Sequence, residues 1–441
     1  MRQNEQFAKF ACFLSLLISL FAWLDQFTTS QSQIPPRPKF SPPLKGTEIL
    51  LEADQPESKQ RRRGIWAMDP KTGKVRFLIP NGSRPFWSPK RNYIAYQKYN
   101  EIKVIDKAGR FEVSCSPVFF EKGQLVGWGH NEELLLYITP NFHLGFLRFN
   151  PKKTSLTEAG FVDISDYFPK HYIGNPTISF DGKYIVFEAF RYIPGIGKIN
   201  SKLVLAELYE RISSYVIIGG FLEKFSDLDI DLDIKNIRRL TSLPMEFIEI
   251  NPQWSPDNKK IAFEVVGLNK SNRIAHIINL DGSGLKGFKL YIGHLRDKEE
   301  ALIKIQEGLV TEMEVYDDHE LRVIGWLSSS RIAIAESIFE LNRYADRMNE
   351  LVAGLVAVRV VDIEQTHPFV DFLTTGRNSK FLQISPNKKQ LVLGEGFDDF
   401  LTSVYLFDIP ETQNINQLYL EFPLPEPVPL SKPLAVYWAN W

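Results

Sequence analysis

Asp227, Asp229, Asp231 and Asp233 form a run of alternating carboxylates in the 441-residue chain. Carboxylates this close can ligate a hard cation or present an acidic face to a basic partner. A calcium loop wants Gly at its bend and polar residues between its ligands. Here the intervening residues are Leu228, Ile230 and Leu232. That alternation predicts an edge strand with one acidic face, so these four aspartates are candidate partner-binding residues. The seven histidines are His130, His143, His171, His276, His294, His319 and His367. None forms HExxH or a close pair, so no metal motif is visible. No GxSxG elbow occurs, and Gly282-Ser283-Gly284 reads as a turn between strands. No Gly-rich phosphate loop is evident. The residues thus imply neither a metal nor an organic cofactor.

Composition narrows the classes further. A net charge of −1 gives no general attraction to nucleic acid or anionic lipid. The basic tract Gln60–Gly64 reads as a solvated loop. Of two cysteines, Cys12 lies in the apolar leader, which leaves Cys115 and no internal disulfide for a mature domain. Aromatic residues make up 13% of the chain, which favours a β-rich fold.

The elements that position these groups follow from a repeat. Asn251–Glu264, NPQWSPDNKKIAFE, reads as strand, turn, strand. Ser255-Pro256-Asp257-Asn258 has turn chemistry. Ile261 and Phe263 fall on one face of the returning strand and Ala262 on the other. The first strand, with the start of its turn where that is kept, recurs as Arg84–Pro89, Leu125–Trp128, Asn175–Phe180, Val323–Trp326, Leu382–Pro386 and Leu434–Trp438. The returning strand recurs as Tyr93–Tyr96, Leu134–Tyr137, Tyr184–Phe187, Arg331–Ile334 and Gln390–Leu393. A third strand ends on Asp106, Asn150, Glu207, Asp281, Asp362 or Asp408. Copies stand about 40 to 75 residues apart, the range of propeller blades with insertions. Isolated hairpins are marginal in water, so the units must stack.

The count predicts an all-β, seven-bladed propeller over 47–441, with six blades as the alternative. Six units run from residue 84 onward. Three strands within Thr47–Ile79 lack a first strand, and Leu434–Trp441 supplies one, which would close the ring and remove its open edges. Small helical insertions are expected at His294–Met313, with Leu302 and Ile305 as further candidate partner contacts, and at Ile338–Val352. The insertion Tyr209–Asn236 carries the acidic run.

Upstream, Arg2 and Lys9 precede the apolar run Phe10–Leu24, followed by Thr28, Thr29, Ser30 and Ser32. This reads as a signal peptide over 1–32, with an uncleaved membrane anchor as the alternative. Residues 33–46 are Pro-rich and read as a linker. A periplasmic or cell-surface location is expected.

NPQWSPDNKKIAF, RPFWSPKRNYIAY, NPTISFDGKYIVF and QISPNKKQLVL resemble the WD40-like repeat of the TolB-like propellers, roughly PxWSPDGKxIAF. The resemblance implies the propeller fold. TolB itself is a periplasmic part of an envelope-spanning complex, with six blades behind an α/β domain. This chain has too few residues between leader and Thr47 for such a domain. Similar propellers act as metal-dependent polysaccharide lyases, or precede the hydrolase domain of peptidases, for which no room is expected after Trp441. The first expectation is therefore a monomeric, non-enzymatic, exported propeller that binds a protein or envelope component and no nucleic acid. The second is a propeller enzyme acting on a glycan, with a divalent metal gathered from several blades.

Overall fold

The computed structural model describes residues 39–55, 62–117, 123–129, 132–162, 164, 167–194, 197–212, 217–218, 221–222, 230–241, 243–244, 247–267, 273–287, 319–341, 351–364, 369–372, 379–397, 400–409 and 426–440. Among them there are strands and turns but no helix.

The first strands are β1 (Ile49–Gln55), β2 (Arg62–Met68) and β3 (Val75–Pro80). A four-stranded sheet follows, β4 (Ser83–Trp87), β5 (Tyr93–Lys98), β6 (Glu101–Asp106) and β7 (Glu112–Cys115). The next is β8 (Gln124–Trp128), β9 (Leu134–Ile138), β10 (Leu144–Asn150) and β11 (Ser155–Val162). Then come β12 (Tyr172–Ile178), β13 (Tyr184–Ile193) and β14 (Gly197–Ile212), a small ribbon of β15 (Ile217–Ile218) and β16 (Phe221–Leu222), and β17 (Ile230–Arg239), which pairs with β14. A fourth unit holds β18 (Phe247–Trp254), β19 (Lys260–Gly267), β20 (Arg273–Asn279) and β21 (Lys286–Gly287). A fifth holds β22 (His319–Trp326), β23 (Arg331–Leu341), β24 (Leu351–Asp362) and β25 (Phe369–Phe372). The last strands are β26 (Ser379–Ile384), β27 (Gln390–Phe397), β28 (Phe400–Asp408) and β29 (Val428–Asn440). They join β1–β3 in one seven-stranded sheet of order β26-β27-β28-β29-β1-β2-β3.

All these pairings are antiparallel, and each meander is the unit from which a β-propeller is built. β29 has two partners. Its first part pairs with β28 and its last part with β1, where Leu50 faces Asn440 and Glu52 faces Trp438.

The core lies between sheets. Ile94 and Tyr96 of β5 pack with Leu50, Ile65 and Ile79 of the preceding strands, whereas Ala95 packs forward with Leu125, Leu135 and Tyr137. Likewise Ile261 and Phe263 point back to Val186 and Leu205, and Ala262 points forward to Leu321 and Ile334. A strand that alternates sides in this way buries both faces, so neither face can be polar along its middle. One further cluster folds β1 and β2 against β27–β29, through Ile49, Leu51 and Trp66 with Val392, Val404 and Leu434.

Tryptophans link the first strands. Trp128 Nε1 donates to the Phe86 carbonyl at 3.1 Å, Trp254 to Thr177 at 3.0 Å and Trp326 to Gln253 at 3.1 Å. Trp87 Nε1 donates to Glu48 at 2.9 Å. Each indole fills an inter-sheet gap and satisfies its polar edge on the neighbouring backbone.

The turns repeat as well. Asp181 and Asp257 accept from Ser179 and Ser255 hydroxyls at 2.7 and 2.6 Å and from the Lys183 and Lys259 N–H groups. Burial pushes both carboxyls up, but these donors and the nearby lysines outweigh it and hold them below the usual carboxylate range. Their contribution to stability is therefore present above the ordinary range and lost as pH falls through the depressed values. Asn387 plays this part for Ser385. The first unit has Lys90 at the equivalent place, and Glu132 supplies the missing acid from the next sheet. It accepts from Ser88 Oγ at 2.5 Å and Lys90 N at 2.9 Å. Ser88 and Glu132 are both buried. Glu132→Ala is expected to cost about 1–3 kcal/mol by leaving these donors unsatisfied. Lys90→Asp in that background should recover much of the loss, which urea denaturation of the four chains would show.

Three expectations are corrected. Residues 338–341 and 351–352 are not helical. They extend β23 and β24 as a hairpin, with Ile338 opposite Gly354 and Leu341 opposite Leu351. A short apolar run fits either period, and pairing along a strand already formed decided it. Glu207 does not end its strand, because β14 continues to Ile212 against β17. Arg62 and Arg63 are strand residues of β2, opposite Gln55 and Asp54, not part of a loop. The proposed helix His294–Met313 lies outside the described residues. Of the Pro-rich stretch, Phe40 and Leu44 are buried against Ile94 and Tyr96, and Lys39 and Leu44 donate backbone bonds to Gly109 and Lys107.

Candidate functional site

Each of six first strands carries a register shift, at the same place in five of them and two residues earlier in β26. Register shifts fall between Ser83 and Phe86, Leu125 and Gly127, Gly174 and Thr177, Ile250 and Gln253, Val323 and Gly325, and Ser379 and Phe381. Opposite β1, Tyr437 of β29 is skipped between Glu52 and Ala53. A bulge withdraws one backbone N–H from the ladder and turns it aside. Pro85, Pro176 and Pro252 follow directly, where no ladder donor is required.

The freed N–H groups meet side chains from the preceding sheet's returning strand. Arg84 N donates to Glu52 Oε2 at 3.0 Å, and Leu125 N to Gln97 Oε1 at 3.4 Å. Asn251 N donates to Glu188 Oε1 at 2.9 Å, and Val323 N to Glu264 Oε1 at 3.0 Å. Glu52, Gln97, Glu188 and Glu264 thus occupy equivalent places at the end where the first strands begin. Glu188 also accepts from Asn175 Nδ2 at 2.5 Å and Lys198 Nζ at 2.8 Å. Glu264 also accepts from Asn251 Nδ2 at 2.9 Å and Arg273 Nη1 at 3.1 Å. Burial pushes the Glu264 carboxyl up, against the pull of Arg273, the Asn251 and Val323 donors and Arg322.

Two surfaces flank this polar row. On one side Tyr192, 47% exposed, adjoins Phe142, which also touches Tyr172 and Phe190, while Lys198 Nζ lies 4.5 Å from the Phe190 ring. On the other, a 480 Å³ cavity opens between β1–β2 and β4–β5, lined by Glu52, Arg63, Arg84, Gln97, Gln124 and Tyr437 among others.

The acidic run is not brought here: its described part pairs with β14 beyond Glu207, at the turn end of the sheet, whereas Glu188 pairs with Leu203 at the other end. Asp227 and Asp229 lie outside the described residues, as do Leu302 and Ile305. Asp231 and Asp233 stand on β17, the edge strand, opposite Arg211 and Tyr209. Asp233 accepts from the Tyr209 hydroxyl at 3.1 Å. Among the described residues, no three His, Cys, Asp or Glu side chains are grouped as a metal site requires. His276 is half-buried, and this desolvation pushes its imidazole below the ordinary value, while its Nδ1 lies 3.0 Å from the Ile274 carbonyl.

Glu52, Arg63, Arg84, Glu188 and Glu264 were not among the sequence candidates. A signal existed for two of them, since Tyr184–Phe187 and Ile261–Phe263 are each followed at once by Glu. Nothing in the sequence marked Arg84 as distinct from Asn175 and Asn251, which hold the same place.

No family model and no curated protein matches the chain. Solved structures do. The β-propeller domain of the trilobed protease from Pyrococcus furiosus is 13% identical, over 83% of this chain and 93% of that one, with a TM-score of 0.45. Oligogalacturonate lyase in complex with manganese is 10% identical, over 82% and 83%, with a TM-score of 0.46. A putative 6-phosphogluconolactonase from Bacteroides uniformis is 11% identical, over 88% and 97%, with a TM-score of 0.44. At these values nothing about activity passes to this chain.

Proposed function

We propose that the chain is an exported, seven-bladed propeller of the TolB-like kind, which binds a protein or envelope component and performs no chemistry itself. The seventh blade is β29 with β1–β3, which closes the ring and puts the bulged first strands around a central channel. The observation that carries the binding reading is the engagement of the carboxylates. Among the described residues, Glu52, Glu188 and Glu264 are acids of the channel mouth, and each accepts a backbone N–H of the next sheet. A general acid or nucleophile must change protonation or bonding during turnover. Groups that hold neighbouring sheets together are poorly suited to that. The exposed parts of the mouth and the β14–β17 hairpin, with Asp231 and Asp233, are then the contact surfaces. The apolar run Phe10–Leu24 supports export, as a cleaved leader or as an anchor.

Crosslinked capture from the native envelope fraction tests this. The expected result is one dominant partner, with capture reduced several-fold when Asp231 and Asp233 are replaced by Asn. Stoichiometric Mn, Ca or Zn in the purified protein, together with glycan cleavage, would replace this reading by the enzymatic one. Finding the native protein in the cytosol would remove the export argument.

A further inference from the structure

The cavity between the last and first blades has a chemistry of its own. Arg63 and Arg84 both line it, with Glu52 as their lining carboxylate. Glu52 is already shared between the Arg84 backbone N–H at 3.0 Å and the Arg63 guanidinium at 3.8 Å. Arg63 lies over the Tyr437 ring at 5.3 Å, and Tyr437 is 54% exposed, so the stacked pair stands open to the mouth. The Gln124 amide, with its oxygen turned to Arg84, accepts from that guanidinium. Gln97 is held by Gly123 O and Leu125 N, which fixes the cavity wall.

Arg84 is also the costly choice at its position. Its φ is +47°, in the left-handed region that disfavours most side chains. The equivalent residues Asn175 and Asn251 adopt the same region with φ of +41° and +55°, and Asn tolerates it far better. At this place in the first strand the left-handed residue is Arg rather than Asn only beside the cavity, which points to a use for the side chain.

We propose that this cavity binds the anionic group of a small polar ligand, a carboxylate or a phosphate, between the Arg63 and Arg84 guanidinium groups. Two planar forks of donors suit such an oxyanion, and 480 Å³ holds a small molecule. Burial lowers the Arg84 pKa, against the pull of Glu52, and a bound anion would act in the same sense as Glu52. The proposal rests on the binding reading above and narrows it to a ligand class.

The test is calorimetric titration of the full chain at low ionic strength with inorganic phosphate, lactate and neutral lactamide. Saturable binding of phosphate or of lactate, but not lactamide, is expected, and the two arms identify which oxyanion is preferred. Arg84→Asn and Arg63→Gln should each weaken binding at least about tenfold. Arg84→Asn should leave the melting temperature unchanged or raised, because the fold already accepts Asn at this place twice. A fall in melting temperature with unchanged anion binding would make Arg84 structural and overturn the proposal. So would the absence of saturable binding of either anion up to about 10 mM, a concentration that still reports weak sites. If anion binding is absent while envelope capture persists, the site alone is wrong. If both are absent, the binding reading falls with it.

Discussion

Removing Val428–Asn440 is expected to abolish cooperative unfolding, a larger effect than any single substitution would have. β29 is the partner of two strands. Without it, β1 loses its ladder from Leu50 to Asp54, and β28 loses its partner at Phe400, Leu401, Ser403 and Val404. Two unpaired edges are exposed where there were none, and edges of this kind recruit other chains. The buried side chain of Leu434 leaves the cluster that joins β1 and β2 to β27 and β28. A typical domain holds only about 5–15 kcal/mol of net stability, so losing a strand that is paired on both sides consumes most of it. The truncated chain should bind a hydrophobic dye and form oligomers. A synthetic peptide of residues 426–441 added in trans should restore a cooperative melt, and a scrambled peptide should not. A truncated chain that melts as the intact one does would refute ring closure. Gly73→Ala probes the same junction with one methyl group. Gly73 has φ +64°, and an added Cβ would collide with the Pro429 carbonyl oxygen. Gly73 O also accepts from Ser431 N at 2.9 Å, so the turn cannot retreat without losing that bond.

The pairing of the last strand with β1 was legible in the sequence, because Leu434–Trp438 is a copy of a unit seen elsewhere and the strands from Thr47 lack one; its pairing with β28 as well, which merges the strands into one sheet, was not. The strand alternation of Ile261, Ala262 and Phe263 was legible for the same reason: a period of two with one small residue fixes which face is crowded. The inter-sheet polar row was not. Its logic depends on a bulge, and a bulge is a relation between two strands that leaves little trace in one of them. Glu188 looks like an ordinary charged residue after a strand until the N–H of Asn251, 63 positions on, is seen to need it. The acidic run has the alternation of a ligand face, yet a row of like charge is also how an edge strand discourages pairing. Asp231 and Asp233 do stand on an edge strand. The reading of Ile338–Val352 as helix failed because a hairpin extension borrows its register from strands already paired, information that no local window contains.

Glu249→Ala should destabilise the protein by about 3–5 kcal/mol, the usual cost of stranding one partner of a buried ion pair. Glu249 is fully buried and Lys202 is 6% exposed. Their atoms Oε1 and Nζ are 3.2 Å apart, across the junction of β14 and β18. The pair is completely wrapped. Lys202 donates to the carbonyls of Leu243, Pro244 and Phe247, at 3.0, 2.7 and 3.2 Å. Glu249 accepts from Leu203 N at 2.9 Å and from the Thr241 hydroxyl at 2.6 Å. Alanine would leave an ammonium group with three carbonyls and no counter-charge, in a place water does not reach. Lys202→Met should cost a similar amount, by stranding the carboxylate instead. The double variant Lys202→Met, Glu249→Leu should cost clearly less than the two single losses combined, since neither charge then remains to be stranded. A urea-denaturation cycle on the four proteins measures this coupling. Strict additivity would show that the pair is solvated in solution and that the weld between these two sheets is apolar, carried by Trp254, Val186 and Phe263. Coupling of several kcal/mol would place the ion pair among the groups that fix which sheet follows which. A buried charge can find only the partner built for it, whereas apolar faces tolerate many neighbours.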